Sequence, residues 1–217
     1  MTDFTKQRIA MVDSQIRPSD VTKYPIISAM LEIPLEDFVP DSCRQIAYAG
    51  TDTALAERRV LLDRRVLAKM LNELDIRSDE FVLDIGSGMG YSAAVISRMA
   101  EGVVALEEDV GMAEIAEGNF TRFSVDNAVS ITGPLTEGAP KHGPYDAITI
   151  QGGVEVIPMA IIQQLKEGGK MGCIFAGRQP GECRVGMRRG NGIVWRTVFN
   201  ADAPVIPGYE KQQEFVF

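Results

Sequence analysis

The stretch Phe81-Val82-Leu83-Asp84-Ile85-Gly86-Ser87-Gly88-Met89-Gly90-Tyr91-Ser92 reads as an apolar strand that stops at an acid, crosses three alternating glycines and enters a helix. The helical pattern continues through Ala93-Ala94-Val95-Ile96-Ser97-Arg98-Met99. Glycines at 86, 88 and 90 remove the Cβ atoms that would hold a ligand off the backbone, and the start of a helix leaves amides pointing into the turn. That is the layout of a nucleotide-like cofactor site, with Asp84, Gly86, Ser87, Gly88 and Gly90 as its candidate contacts. The Gly-x-Gly-x-Gly spacing places its third glycine one residue too early for the dinucleotide fingerprint, whose last position falls on Tyr91. A carboxylate as close to the turn as Asp84 repels a pyrophosphate and suits a cationic amino-acid moiety.

Beyond this turn, strands alternate with helices, which implies a parallel sheet covered on both faces. Gly102-Val103-Val104-Ala105-Leu106-Glu107 is the second strand, ending in an acid 17 residues after Gly90 (107 minus 90). An acid at that place accepts two hydrogen bonds from a ribose diol. Glu107, Glu108 and Asp109 would also suit the first turn of a helix, where carboxylates favour the dipole. Glu107 comes first after the apolar run, nearest the sheet edge, and is the ribose candidate. With Asp84 it makes S-adenosyl-L-methionine the preferred ligand.

A helix over Gly111 to Phe123, a strand Ala128 to Thr132 and a strand Tyr145 to Ile150 follow. Ligands lie at the carboxyl ends of such strands, which adds Gln151 to the candidate contacts. Ile157 to Leu165 reads as a helix, Lys166 to Lys170 as a turn and Met171 to Phe175 as a strand. The glycine-punctuated segments Arg184 to Met187 and Ile193 to Phe199 then extend the sheet antiparallel.

Upstream, Phe4, Ile9, Val12 and Ile16 form a loose helical stripe that ends before Pro18, and Ser19-Asp20 offers a cap for a second helix through Leu31. Leu35 to Val39 is a short helical turn between prolines. Tyr48 to Glu57 is poorly periodic and reads as a loop, and Arg59 to Leu74 as a helix. The expected organisation is a helical cap, residues 1–78, packed on an α/β cofactor-binding unit, residues 79–217, in one compact whole.

A chain of 217 residues that is 45% hydrophobic can bury a full core. Its net charge of −8 and pI near 4.8 argue against a nucleic-acid surface. Cys43, Cys173 and Cys183 are odd in number and widely spaced, and His142 is the one histidine, so neither a disulfide framework nor a metal site is expected. Cys173 falls in a strand and reads as core, Cys183 in a glycine-rich stretch and reads as more exposed, and His142 as an exposed loop residue. The N-terminus lacks the apolar core of a signal peptide, and no run approaches the roughly 18 apolar residues of a membrane span. A reducing cytoplasm is the expected setting.

The acid, glycine turn, Glu107, the strand at Tyr145-Asp146-Ala147 and the turn Leu165 to Gly169 together resemble class I S-adenosylmethionine-dependent methyltransferases. That resemblance implies a Rossmann-like fold. The N-terminal series Met11-Val12-Asp13-Ser14-Gln15-Ile16, Ala29-Met30, Pro34, Phe38-Val39-Pro40 and Tyr48 resembles the protein-L-isoaspartate O-methyltransferase family, and the resemblance extends to about Phe175. It implies methyl transfer to a carboxylate of an altered aspartyl residue in a protein or peptide, with the N-terminal helices covering the cofactor.

The chain departs from that family at two places. Where the family carries Thr-Ile-Ser, one residue, then Pro, this sequence has Val60-Leu61-Leu62-Asp63-Arg64, so Leu62 stands at the serine position. Where the family shows Gly-Asp-Gly against the adenine, this sequence has Gly133-Pro134-Leu135; Gly133 and Pro134 are carried over as cofactor contacts, without the acid. Arg64 or Arg65 would anchor a substrate carboxylate in place of the lost hydroxyl, since arginine binds one bidentately; the mixed spacing of Arg58, Arg59, Arg64 and Arg65 favours a solvated face instead. Two other readings stay open: a cofactor-binding homologue without repair activity, acting as a binding or regulatory module, and a methyltransferase for another acceptor. No residue pattern sets an oligomeric state.

Overall fold

The computed structural model describes residues 3–177 and 179–211. Helix α1 (Phe4–Met11) starts where the Asp3 carboxylate accepts from the Lys6 amide at 3.1 Å, and runs on into a π-helical turn at Val12–Ile16. Helix α2 (Tyr24–Glu32) is not capped by Ser19-Asp20. Asp20 takes a φ of +63°, which breaks the chain direction, and α2 starts after Lys23 with Pro25 in its first turn.

The largest departure from expectation lies at residues 48–63. Instead of a loop and a helix, β1 (Thr53–Ala56) and β2 (Arg59–Leu61) form an antiparallel hairpin that stands apart from the main sheet. Glu57-Arg58 makes the tight turn, Arg58 with φ +59°, and Val60 and Leu61 pair with Ala54 and Thr53. Helix α3 (Arg64–Leu74) begins only at Asp63, whose carboxylate accepts from the Arg65 amide at 2.8 Å. That local cap and the β-pairing of the aliphatic run override the helical stripe that continues back to Val60.

The remaining elements are β3 (Phe81–Ile85), α4 (Tyr91–Ser97), β4 (Gly102–Glu107), α5 (Val110–Arg122), β5 (Ala128–Thr132), β6 (Tyr145–Val154), α6 (Met159–Gln164), β7 (Leu165–Phe175), β8 (Glu182–Arg189) and β9 (Gly192–Asn200). The strands lie in the order β5-β4-β3-β6-β7-β8-β9, parallel through β7 and antiparallel at β8 and β9. This is the Rossmann-like methyltransferase fold. Strand β7 already starts at Leu165, so the expected turn at 166–170 lies within it.

Alternate residues of the strands feed two apolar layers. Val82, Val103, Ala105 and Ala147 pack with α2, α3 and α4, while Leu83, Ile85, Val104, Leu106, Ile148 and Ile150 pack on the other side with Ile161 of α6 and with Ile206 and Tyr209. The second layer is therefore closed partly by a strap, residues 203–209, rather than by helix alone. Val205 bridges Gly153, and the Tyr209 hydroxyl donates to Leu135 O at 2.9 Å. Gly152 is required here: a Cβ on it would stand 2.3 Å from Ile206 Cγ2. Among the described residues, no helix is long and apolar enough to cross a membrane.

Candidate functional site

Strand order reverses at β3, which has β4 on one side and β6 on the other. The carboxyl ends of these three strands bring together the glycine turn, Glu107 and Gln151, at the place where open α/β sheets bind ligands. Asp84 is fully buried there and accepts hydrogen bonds from Ser92 Oγ at 2.5 Å, Thr149 Oγ1 at 2.6 Å and Gln151 Nε2 at 2.6 Å. Burial pushes its carboxyl up to about 6 against the pull of those three donors. Ser92 and Thr149 were not foreseen. Thr149 was legible in principle, because parallel pairing puts it beside Asp84.

The turn amides are largely occupied from within. Those of Gly86 and Ser87 donate to Leu106 O at 2.8 and 3.2 Å, that of Gly90 to Ser87 O at 2.9 Å, and that of Gly88 to Glu107 Oε2 at 2.7 Å. The expectation of amides turned toward a ligand is corrected for these four. Ser87 Oγ is the exception: it is buried without a hydrogen-bond partner among the described residues.

Glu107 is 0% exposed and its carboxylate is saturated. Beyond Gly88 it accepts from the Glu108 and Asp109 amides at 2.9 and 3.1 Å. Arg59 completes the set with a parallel pair of bonds, Nη1 to Oε1 at 2.7 Å and Nη2 to Oε2 at 2.6 Å. Arg59 is itself 3% exposed, so its expected place on a solvated face is overturned. It reaches inward because β2 faces it toward the turn: Nη2 lies 3.2 Å from where a Gly86 Cβ would stand. The same hairpin lays Leu55 on the turn. A Cβ on Gly88, whose φ is +57°, would be 2.5 Å from Leu55 Cδ1.

The other candidates are spread around this centre. Leu62 is buried in the apolar layer. Arg64 is 1% exposed, donating to Thr51 O and to Thr53 Oγ1, so the solvated-face reading fails for it too; burial lowers its pKa. Arg65 is exposed, 3.7 Å from Asp63. The Gly133 amide donates to Glu107 O at 2.9 Å, while Pro134 is exposed. His142 is exposed and away from the cluster, and Cys183, expected to be more exposed, is buried in the core together with Cys173. Cys183 is fixed there by pairing with Ile174 across β7 and β8. Among the described residues, no group of three or more His, Cys, Asp or Glu is placed to hold a metal ion.

The donor set suits S-adenosylmethionine: a buried anion at the end of β4 for a ribose, a second at the end of β3, and an orphaned hydroxyl in the turn between them. In this conformation the set is already engaged from within, because Arg59 takes both oxygens of Glu107 and Leu55 lies on Gly88. The hairpin went unread because its four-residue and three-residue strands are too short to show a period. The signal that could have found it is an arginine pair following Ala56-Glu57 at the start of an aliphatic run.

A family model described as protein-L-isoaspartate(D-aspartate) O-methyltransferase matches residues 6–182. A protein-L-isoaspartate O-methyltransferase of Methanoculleus marisnigri is 34% identical over 179 residues, 82% of this chain and 80% of that one. A solved protein-L-isoaspartate O-methyltransferase superposes with a TM-score of 0.78 at 24% identity, covering 95% of this chain and 67% of that one. A Plasmodium falciparum protein described as a β-aspartate methyltransferase, solved in complex with S-adenosyl-L-homocysteine, gives 0.76 at 15% identity over 94% of this chain and 98% of that one. At such identities these two structures establish the fold.

Proposed function

The chain belongs to the protein-L-isoaspartate(D-aspartate) O-methyltransferase family, and from that membership we propose that it methylates the carboxylate of altered aspartyl residues in proteins. It is an S-adenosylmethionine-dependent methyltransferase. The observation that carries the reading is that the matched span, 6–182, contains both the cofactor turn with Asp84 and Glu107 and the N-terminal helices beside it. Binding without turnover and transfer to a different acceptor are less favoured, since the relatives are named for this reaction.

The cofactor supplies an electrophilic methyl group. A carboxylate acceptor is ionised near pH 7 and needs no general base, so alignment and exclusion of water are what the protein must contribute. Glu107 and the turn would hold the nucleoside, Asp84 would present negative charge toward the amino-acid end, and Arg65 is the exposed cation at the hairpin's exit. Three free thiols, two of them buried, suit a reducing compartment. Transfer of radiolabelled methyl to an isoaspartyl peptide, compared with its aspartyl twin, tests the reading: labelling of the first alone is expected, and labelling of neither overturns it.

A further inference from the structure

Hairpin β1–β2 lies over the glycine turn without joining the main sheet. Among the described residues it forms strand pairs only within itself, so it is held to the body by side chains and not by the sheet ladder: Leu61 is buried in the core, and Leu55 and Val60 pack against it. It enters the fold past Gly50, which has φ +73°, and leaves at the Asp63 cap, so both of its ends are local stops. Inward, it is held by Arg59 on Glu107 and Leu55 over Gly88. Its first strand is tied to α3 by Arg64, which donates to Thr53 Oγ1 at 3.5 Å, and outward, among the described residues, Arg58 pairs with Glu210 at 2.5 Å, both side chains being about two-fifths exposed, 42% and 40%. An exposed pair of that kind holds weakly.

A ribose diol reads an acid by donating two hydrogen bonds to its two oxygens, and Arg59 makes that same pair of bonds to Glu107. We propose that Arg59 is an internal stand-in for the cofactor ribose, and that hairpin β1–β2 is a lid which S-adenosylmethionine must displace before Glu107 can receive it. This rests on the cofactor reading above. The chain thus has a closed state, in which a buried anion is neutralised by its own arginine, and an open state competent to bind. The affinity measured for the cofactor is the intrinsic affinity scaled by the open fraction. The exchange keeps the two hydrogen bonds but not the charge: the diol is neutral, so Glu107 gives up the guanidinium's positive charge when the cofactor takes its place.

Calorimetric titration of the full chain with S-adenosylhomocysteine tests this, using the wild type, Arg59→Ala and Arg58→Ala. Arg59→Ala removes the stand-in and is expected to bind about tenfold tighter or more. Arg58→Ala loosens only the outer latch and is expected to gain a few-fold, and it keeps the test open where Arg59→Ala fails to fold. In the wild type, the ligand should speed amide hydrogen exchange across residues 53–61. Heat with the wild type, but equal affinities and no change in hairpin exchange, overturns the lid alone. No heat with any folded variant overturns the cofactor reading, and the lid with it.

Discussion

Thr149 pairs directly with Asp84 across the β3–β6 ladder, and its hydroxyl donates to Asp84 Oδ1 at 2.6 Å with no water access to either. Thr149→Val keeps the shape and deletes the donor. Loss of one bond to a buried charge should cost about 1–3 kcal/mol at pH 7 in urea unfolding. At pH 5 the carboxyl is mostly protonated and the cost should shrink; equal losses at both pH values would show that the hydroxyl is not serving the charge.

Asp84 itself predicts a pH dependence of defined sign. Its carboxyl titrates at about 6 in the folded chain and near 3.9 unfolded, so the folded state holds the proton more tightly. The stability it contributes is full below about pH 4, falls as pH rises to about 6, and is then lost, amounting to about 2–3 kcal/mol. Asp84→Asn should remove that slope, so the gap between the two stability profiles must change between pH 4 and 6. Parallel profiles would count against a raised carboxyl.

Arg8, Glu36 and Tyr48 close a ring that ties α1 to the loop behind it. Arg8 donates to Tyr48 Oη at 3.0 Å and to Glu36 Oε1 at 2.9 Å, and the tyrosine hydroxyl donates to Glu36 Oε2. Arg8→Ala strands a carboxylate that is 7% exposed and should cost about 3 kcal/mol. Tyr48→Phe, which leaves the ion pair, should cost about 1 kcal/mol. Thermal unfolding of the two variants reads the difference.

Restoring the family's serine at Leu62 should not restore a substrate contact. Leu62 is 1% exposed among apolar neighbours, so Leu62→Ser leaves a cavity and buries a hydroxyl, at about 3 kcal/mol. Methyl transfer to an isoaspartyl peptide should not rise. A gain would mean that position 62 faces the acceptor.

The three thiols should separate cleanly. Cys173 and Cys183 are buried, and burial raises both, Cys183 to about 12, whereas Cys43 is partly exposed. A chromogenic disulfide should label Cys43 in the native chain and all three in denaturant.

The sheet was legible because β3 and β4 are apolar runs that each reach an acid near the carboxyl end, and the later strands are short apolar stretches followed by glycine or a turn. Glu107 closes β4 at the residue expected, and Gly90 opens the helix at Tyr91. The placing of Asp84 and Gln151 together at the carboxyl ends of β3 and β6 follows from the same topology, whereas their burial is visible only in the structure. The hairpin was not legible, since Val60, Leu61 and Leu62 match a helical stripe as well as a strand, and only the Arg58 turn and the Asp63 cap decide between them. Arg59 was hidden for a related reason: an arginine is ordinarily a surface residue, and its partner lies 48 positions further on (107 minus 59). Cys183 was misplaced because neighbouring glycines suggested a loop, where β8 instead pairs on both sides.

The Arg58–Glu210 contact also orders events in time. Glu210 emerges from the ribosome 152 residues after Arg58 (210 minus 58), later than every strand of the sheet. A nascent chain that has completed β3, β4 and β6 therefore already carries the glycine turn and Glu107, while Arg58 still lacks Glu210. During synthesis the ligand-facing edge passes through a stage at which its entrance is less restrained than in the finished protein.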